Sequence, residues 1–219
     1  MLLVLTGVTV ISVALLAYVN ELTKVPIAEA NMKTLNAALK KVLPEFTNNP
    51  IMESDTIVTE KNGKKNIDFI IYPAMNGEQQ IGAAVEAKAM GFGGELKILV
   101  GFDAEGKIYN YFLLSHSETP GLGSKADKWF GSFDPLKGEK SIVHDDKNLN
   151  SIIGLNPGES ALTVTKDGGQ VDAITASTIT SRAFLGAVNA AYQAYVAKNG
   201  DSVNATTGAT KKHHRDNMD

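Results

Sequence analysis

Five hydroxyl side chains crowd seven consecutive positions: Thr175, Ser177, Thr178, Thr180 and Ser181. An acid, Asp172, precedes them and is placed to orient or deprotonate one of them. A Ser or Thr hydroxyl is a weak nucleophile at neutral pH, so it becomes an acceptor only beside a base or in a partner's pocket. Immediately downstream, Phe184, Leu185, Val188, Ala191, Tyr192 and Tyr195 recur at spacings of three and four, the period of an amphipathic helix. The hydroxyls therefore stand where a helix begins. Its free N–H groups and positive dipole end make that place an anion site. Ser, Thr and Asp are also the preferred N-caps, so plain capping is the competing reading.

A second stretch with chemical content is His116-Ser117-Glu118-Thr119-Pro120-Gly121-Leu122-Gly123-Ser124-Lys125. Proline and two glycines mark a turn, and glycines also let backbone N–H groups approach a planar ligand closely. His116 and Glu118, two apart at a strand end, share a face. They lack a third metal ligand and a nucleophile, which leaves a hydrogen-bonded loop pair or a ligand contact. His144-Asp145-Asp146 reads as a solvated turn, and His213-His214 is too short a cluster to specify a metal. Thr206-Thr207-Gly208-Ala209-Thr210 imitates the hydroxyl stretch. However, Asn204 stands six residues before Thr210, where Asp172 stands six before Thr178, and no apolar helix pattern follows. No catalytic residue and no metal site are expected.

Several elements must position these stretches. Met1 to Asn20 carries no charge, and Leu2 to Val19 is a mainly apolar run. At ~1.5 Å per residue it crosses roughly 27 Å, about a hydrocarbon core. With no basic n-region and a long apolar segment, it favours an uncleaved single-span anchor over a signal peptide or a buried core helix. Residues 21–30 read as a juxtamembrane linker. Met32, Leu35, Leu39, Val42 and Leu43 mark one helical face ended by Pro44. Strands are expected over Asp55 to Glu60, Ile67 to Tyr72, Ile81 to Ala89, Leu96 to Phe102, Lys107 to Ser115 and Ala161 to Lys166. Lys61 to Lys64 is expected as a hairpin turn, and Pro73 to Gly77 as a break. A short helix fits Trp129 and Phe130, and a longer one runs from Thr180 to about Val196. From Asn199 the tail is polar and expected to be disordered. The domain thus spans 31–198 and is α+β, with a mainly antiparallel sheet and flanking helices behind a single N-terminal transmembrane helix.

Of the 219 residues 43% are hydrophobic and 21% charged, which suits a globular domain plus extras. A net charge of −3 argues against a nucleic-acid surface. The chain has no cysteine, which excludes disulfides and thiolate-ligated iron–sulfur clusters within it.

Asp172-x-x-Thr175-Ala176-Ser177-Thr178 resembles the flavinylation motif of the FMN-binding domain family, in which the last Thr accepts FMN through a phosphoester. The resemblance implies Thr178 as the modified hydroxyl; Ser177 stands where Ala is usual, which makes it the neighbouring candidate. Ile179-Thr180-Ser181-Arg182-Ala183 resembles the G subunit of the Rnf electron-transport complex. Glu118-Thr119-Pro120-Gly121-Leu122-Gly123 is similar to the loop that faces the isoalloxazine ring in those proteins and in the C subunit of the sodium-translocating NADH:quinone reductase. Gly91-Phe92-Gly93-Gly94 and Val100-Gly101-Phe102-Asp103 resemble the family too.

The resemblance implies a membrane-anchored electron carrier with covalent FMN at Thr178. It implies an FMN-binding domain on the extracytoplasmic, periplasmic side of the inner membrane. Maturation would be by a flavin transferase of the ApbE type, using FAD and Mg²⁺, and the partners would be the other membrane subunits of an Rnf complex. The cofactor contacts implied are Asp172, Thr175, Ala176, Ser177, Thr178, Glu118, Thr119, Gly121, Leu122 and Gly123. The alternatives are a C-type subunit of the quinone reductase and a flavin-free, membrane-anchored binding module.

Overall fold

The computed structural model describes residues 1–61, 64–131 and 150–206, and of 59–61, 64–67 and 199–206 the backbone. The order is α1 (Leu2–Val42), β1 (Asp55–Lys61), β2 (Lys64–Asn76), β3 (Gln79–Met90), β4 (Glu95–Asp103), β5 (Ile108–His116), α2 (Ala126–Trp129) and α3 (Thr178–Thr206). Single 3₁₀ turns occupy Gly123–Lys125 and Thr165–Asp167. The chain divides into two units, Met1–Ala38 and Leu39–Asp219.

The first unit is helix throughout. Its apolar window has a mean hydropathy of 2.5 and buries none of its surface in protein, which fits a membrane span by length and composition. Within that window the hydroxyls of Thr6, Thr9 and Ser12 donate to the carbonyls of Leu2, Leu5 and Val8. Each polar group is thereby satisfied inside the helix, as hydrocarbon requires. Residues 21–30, expected as a linker, are helical, with Pro26 inside the run. The surrounding Ala, Leu, Glu and Lys residues are strong helix formers, which offsets the hydrogen bond that proline removes.

The second unit is built on a five-stranded antiparallel meander in the order β1-β2-β3-β4-β5. One face carries Val85, Ala87, Ile98, Val100, Phe102, Tyr111 and Leu113 into the main core. Against it α3 lays Phe184, Leu185, Val188, Ala191 and Tyr195, the stripe expected from their spacing. Aromatic contacts seal the join: Phe184 stacks on Phe130 at 4.4 Å and meets Tyr111 edge-on at 5.0 Å, while Phe102 stacks on Tyr195 at 5.2 Å. The end of α1 approaches β4, where Gly101 leaves room for the carbonyl of Val42. From the expected α1 face, Leu39, Val42 and Leu43 are buried whereas Met32 is exposed.

Three expectations are corrected. β2 continues through Pro73 to Asn76. Proline is tolerated there because β1 stops pairing at Ile71, and the freed edge is met instead by Asn48, which binds the Pro73 carbonyl and the Met75 N–H. Ala161 to Lys166 forms no strand beyond an isolated bridge, Val164 to Val171. The side-chain amide of Asn189 binds both the N–H and the carbonyl of Leu162, replacing the strand partner that segment would need. Finally, α3 starts at Thr178 and continues to Thr206, past the expected start of a disordered tail. The turn tip at 62–63, His144-Asp145-Asp146, His213-His214 and Thr207 to Thr210 lie outside the described residues.

A Cβ at position 101 would sit 1.6 Å from the Val42 carbonyl oxygen, a backbone atom that cannot turn aside. Gly101→Ala should therefore lose roughly 1–3 kcal/mol. Urea denaturation of the full chain in detergent should show a lower midpoint at unchanged slope. An unchanged midpoint would show that the helix end is free of the sheet.

Candidate functional site

The hydroxyl stretch enters α3 through a fixed sequence of backbone bonds. The Ser177 N–H donates to the Ile174 carbonyl, and the Ser181 N–H to the Ser177 carbonyl. The Ser181 hydroxyl also donates to the Ser177 carbonyl and accepts from the Ile174 N–H. Between them, Ala176 is held at φ 62°, the left-handed region that a residue with a Cβ rarely enters. That turn exposes Thr175 and Ala176, buries Ser177 and leaves Thr178 half-buried as the first residue of the helix. Thr178 is thus the more accessible of the two adjacent candidate hydroxyls.

Glu118 ties this segment to the rest of the site. It is only 6% exposed. One carboxylate oxygen accepts from the Gly93 N–H at 3.2 Å, the other from the Thr180 hydroxyl at 2.9 Å. Donors at both oxygens are what a buried carboxylate requires. The glycines around it are dictated by space. A Cβ on Gly91 would lie 2.0 Å from one carboxylate oxygen, and a Cβ on Gly123 2.2 Å from the other. Glu118 therefore joins the 91–94 loop, the 118–123 loop and the first turn of α3. Its backbone N–H donates to His116 Nδ1 at 3.2 Å. The expected hydrogen-bonded pair of His116 and Glu118 thus forms, but through the Glu118 backbone.

The three segments enclose a cleft of about 320 Å³ lined by Phe92, Glu118, Thr119, Leu122, Gly123 and residues 176–179. This lies within the size range of small-molecule sites. Its rim is apolar and exposed: Phe92 at 73%, Ile179 at 53% and Leu122 at 41%. Side chains so placed offer flat apolar contact to a ring system, while the N-terminal end of α3 offers N–H groups to an anion. Of the expected contacts, Glu118, Thr119, Leu122, Gly123, Ala176, Ser177 and Thr178 line this cleft. Gly121 lies in the turn beside it, where its N–H donates to Ser124 Oγ. Thr175 and Asp172 do not line it.

The carboxylate of Asp172 instead accepts from the Thr165 hydroxyl at 3.0 Å, and its carbonyl accepts from Trp129 Nε1 at 2.8 Å. Four residues were missed by sequence reasoning: Phe92 and Ile179, which line the cleft, and Lys166 and Arg182 beside it. Lys166 Nζ donates to Thr178 Oγ1 at 3.3 Å. Arg182 makes a two-pronged ion pair with Asp167, both contacts at 2.7 Å. Arg182 lies four positions after Thr178, so they share a helix face; that spacing was the available signal. Arg182 holds the Asp167 carboxyl below its ordinary range, and the Arg182 guanidinium is raised in turn. This pair is complete above the ordinary aspartate range and is lost as pH falls through the lowered Asp167 value. Among the described residues no three His, Asp or Glu side chains converge on a metal position.

The model of the FMN-binding domain family matches residues 91–193 of this chain. Similarity over most of the chain extends to proteins named as the G subunit of an ion-translocating oxidoreductase complex. The one from Aliivibrio fischeri is 35% identical over 201 residues, covering 88% of each chain. The one from Shewanella amazonensis is 30% identical over 194 residues, covering 85% of this chain and 83% of its own. The one from Cereibacter sphaeroides is 31% identical over 183 residues, covering 83% and 76%.

Because Thr180 is fully buried, Glu118→Leu strands its hydroxyl together with the Gly93 N–H. Each loss should cost about 1–3 kcal/mol. Glu118→Gln should recover most of it, because the Thr180 hydroxyl can rotate to accept from the new amide. Urea unfolding of the three proteins decides the matter, and wild-type stability of Glu118→Leu would contradict the clasp.

Proposed function

The chain belongs to the FMN-binding domain family, among the G subunits of ion-translocating oxidoreductase complexes, and from that premise we propose that it carries FMN covalently on Thr178. It would serve as the membrane-anchored redox subunit of an Rnf-type ferredoxin:NAD oxidoreductase. The observation that carries this reading is the placement of Thr178. It is the first residue of α3, half-buried, beside the Lys166 ammonium, and it opens into a cleft rimmed by Phe92, Leu122 and Ile179. The donor set fits the two parts of FMN. Apolar rim residues suit the ring, and a helix N-terminus with an adjacent cation suits the phosphate.

Attachment is a phosphoryl transfer. Thr178 Oγ1 bonds to the phosphorus of the FMN half of FAD, the pyrophosphate P–O bond breaks, and AMP leaves. The hydroxyl proton passes to a base of the flavin transferase of the ApbE type, with Mg²⁺ there to neutralise phosphate charge. No electrons change hands. Small residues at 176 and 177 let the strained turn enter the transferase. Bound FMN supplies stepwise electron acceptance and release. This chain's residues would hold it: the start of α3 would stabilise the phosphodiester charge, and the rim side chains would shield the ring from water. A fixed covalent site prevents loss by dilution on the outer face, where the anchor would place the domain as one relay among the membrane subunits of the complex. The likeness to G subunits over most of the chain favours this reading over the C subunit of the quinone reductase.

Two experiments test it. Thr178→Val keeps the shape and deletes the nucleophile. Co-expressed with the transferase, it should show no fluorescent band after denaturing electrophoresis, while Ser177→Ala and Thr210→Val keep theirs. A band on Thr178→Val and none on Ser177→Ala would move the acceptor by one residue. For topology, protease added to intact spheroplasts should digest the domain beyond residue 42. Protection until the membrane is lysed would place the domain on the opposite side.

A further inference from the structure

The turn Thr165-Lys166-Asp167 belongs to none of the motifs quoted from the sequence, yet each of its three consecutive side chains reaches a different point of the attachment segment. Thr165 donates to Asp172, seven residues on. Lys166 donates to Thr178, twelve on. Asp167 accepts both prongs of Arg182, fifteen on. The turn is itself rigid. Gly168 closes it at φ 83°, and a Cβ on Gly169 would lie 2.2 Å from the Thr163 carbonyl oxygen. Backbone bonds from Thr165 N–H to Val171 and from Val171 N–H to Thr163 fix its two ends.

From this arrangement we infer that Lys166 is the phosphate-holding cation of the site, and that Asp167, through Arg182, positions it. The inference rests on attachment at Thr178 and deepens it. A lysine on a free loop would lose much of its benefit to side-chain and backbone entropy. Here the flanking residues are tied to the helix that bears the acceptor, so the ammonium stays beside that oxygen. Before attachment it partners the hydroxyl oxygen. Afterwards the same position carries a phosphodiester with a permanent negative charge, and ammonium and helix N-terminus act on it together. Asp172 then has a structural part: its carboxylate holds the turn through Thr165. This accounts for an acid ahead of the acceptor that lines no part of the cleft.

The test uses the full chain in detergent, the purified transferase, FAD and Mg²⁺, and follows covalent flavin by intact mass over time. Lys166→Met should slow attachment roughly three- to fivefold, the scale of an exposed charge pair. It should also flatten the decline of the rate with added salt that the wild type shows. Lys166→Arg should restore both, and the ³¹P resonance of the attached phosphodiester should shift in Lys166→Met and return in Lys166→Arg. Asp167→Asn should slow attachment with its lysine intact. Wild-type rate, salt dependence and ³¹P shift in Lys166→Met would overturn the inference. So would slowing that Lys166→Arg does not rescue. Thr178→Val run alongside separates the two ideas: if it still gains flavin, attachment at Thr178 fails; if it gains none while Lys166→Met is normal, only the role of Lys166 fails.

Discussion

A single buried carboxylate governs the architecture of the site. Glu118 would be costly to bury alone, and its two oxygens are satisfied by donors from two other segments, Gly93 and Thr180. Those bonds require close approach, which only glycine permits at 91 and 123. The composition of both loops thus follows from one electrostatic demand. With Glu118 in place, the 91–94 loop, the 118–123 loop and the first turn of α3 converge, and the space left between them is the cleft.

The sheet and helix beneath supply the rigidity that this demand presupposes. Phe184, two positions beyond Arg182, is wedged between Phe130 and Tyr111. Burial raises the Tyr111 hydroxyl above its ordinary range; it stays neutral, donates to the Ala126 carbonyl and accepts from the Phe130 N–H. α2 is thereby fastened to β5, and Trp129 on α2 reaches the Asp172 carbonyl. A continuous path of packed and hydrogen-bonded groups runs from the core to the residues just ahead of Thr178. The proposed phosphoryl acceptor would need such support, because a misplaced hydroxyl is a poor one.

Much of this was legible in the sequence. The stripe from Phe184 to Tyr195 announces α3, the β-rich runs announce all five strands, and the uncharged Leu2 to Val19 run announces the apolar helix. The misses have local causes. Pro73 breaks a strand only where its missing N–H would face a partner, and β1 has already ended there. Leu162 and Val164 have strand-like burial without a strand because Asn189, on a distant helix, occupies the pairing edge. Lys166 was invisible as a site residue because its relation to Thr178 exists only after the 165–167 turn folds onto α3. The motif shows which hydroxyls are present; the strained turn at Ala176 makes them unequal, burying Ser177 and leaving Thr178 half-buried.

The most direct measurement of the central claim is peptide mapping of the native chain. Trypsin cutting after Lys166 and Arg182 releases Asp167 to Arg182, which contains Thr175, Ser177, Thr178, Thr180 and Ser181. The account requires this peptide to carry the mass of FMN less water, with fragment ions placing it on Thr178. The same peptide without added mass in flavin-loaded protein, or the flavin on a fragment containing Thr210, would contradict it.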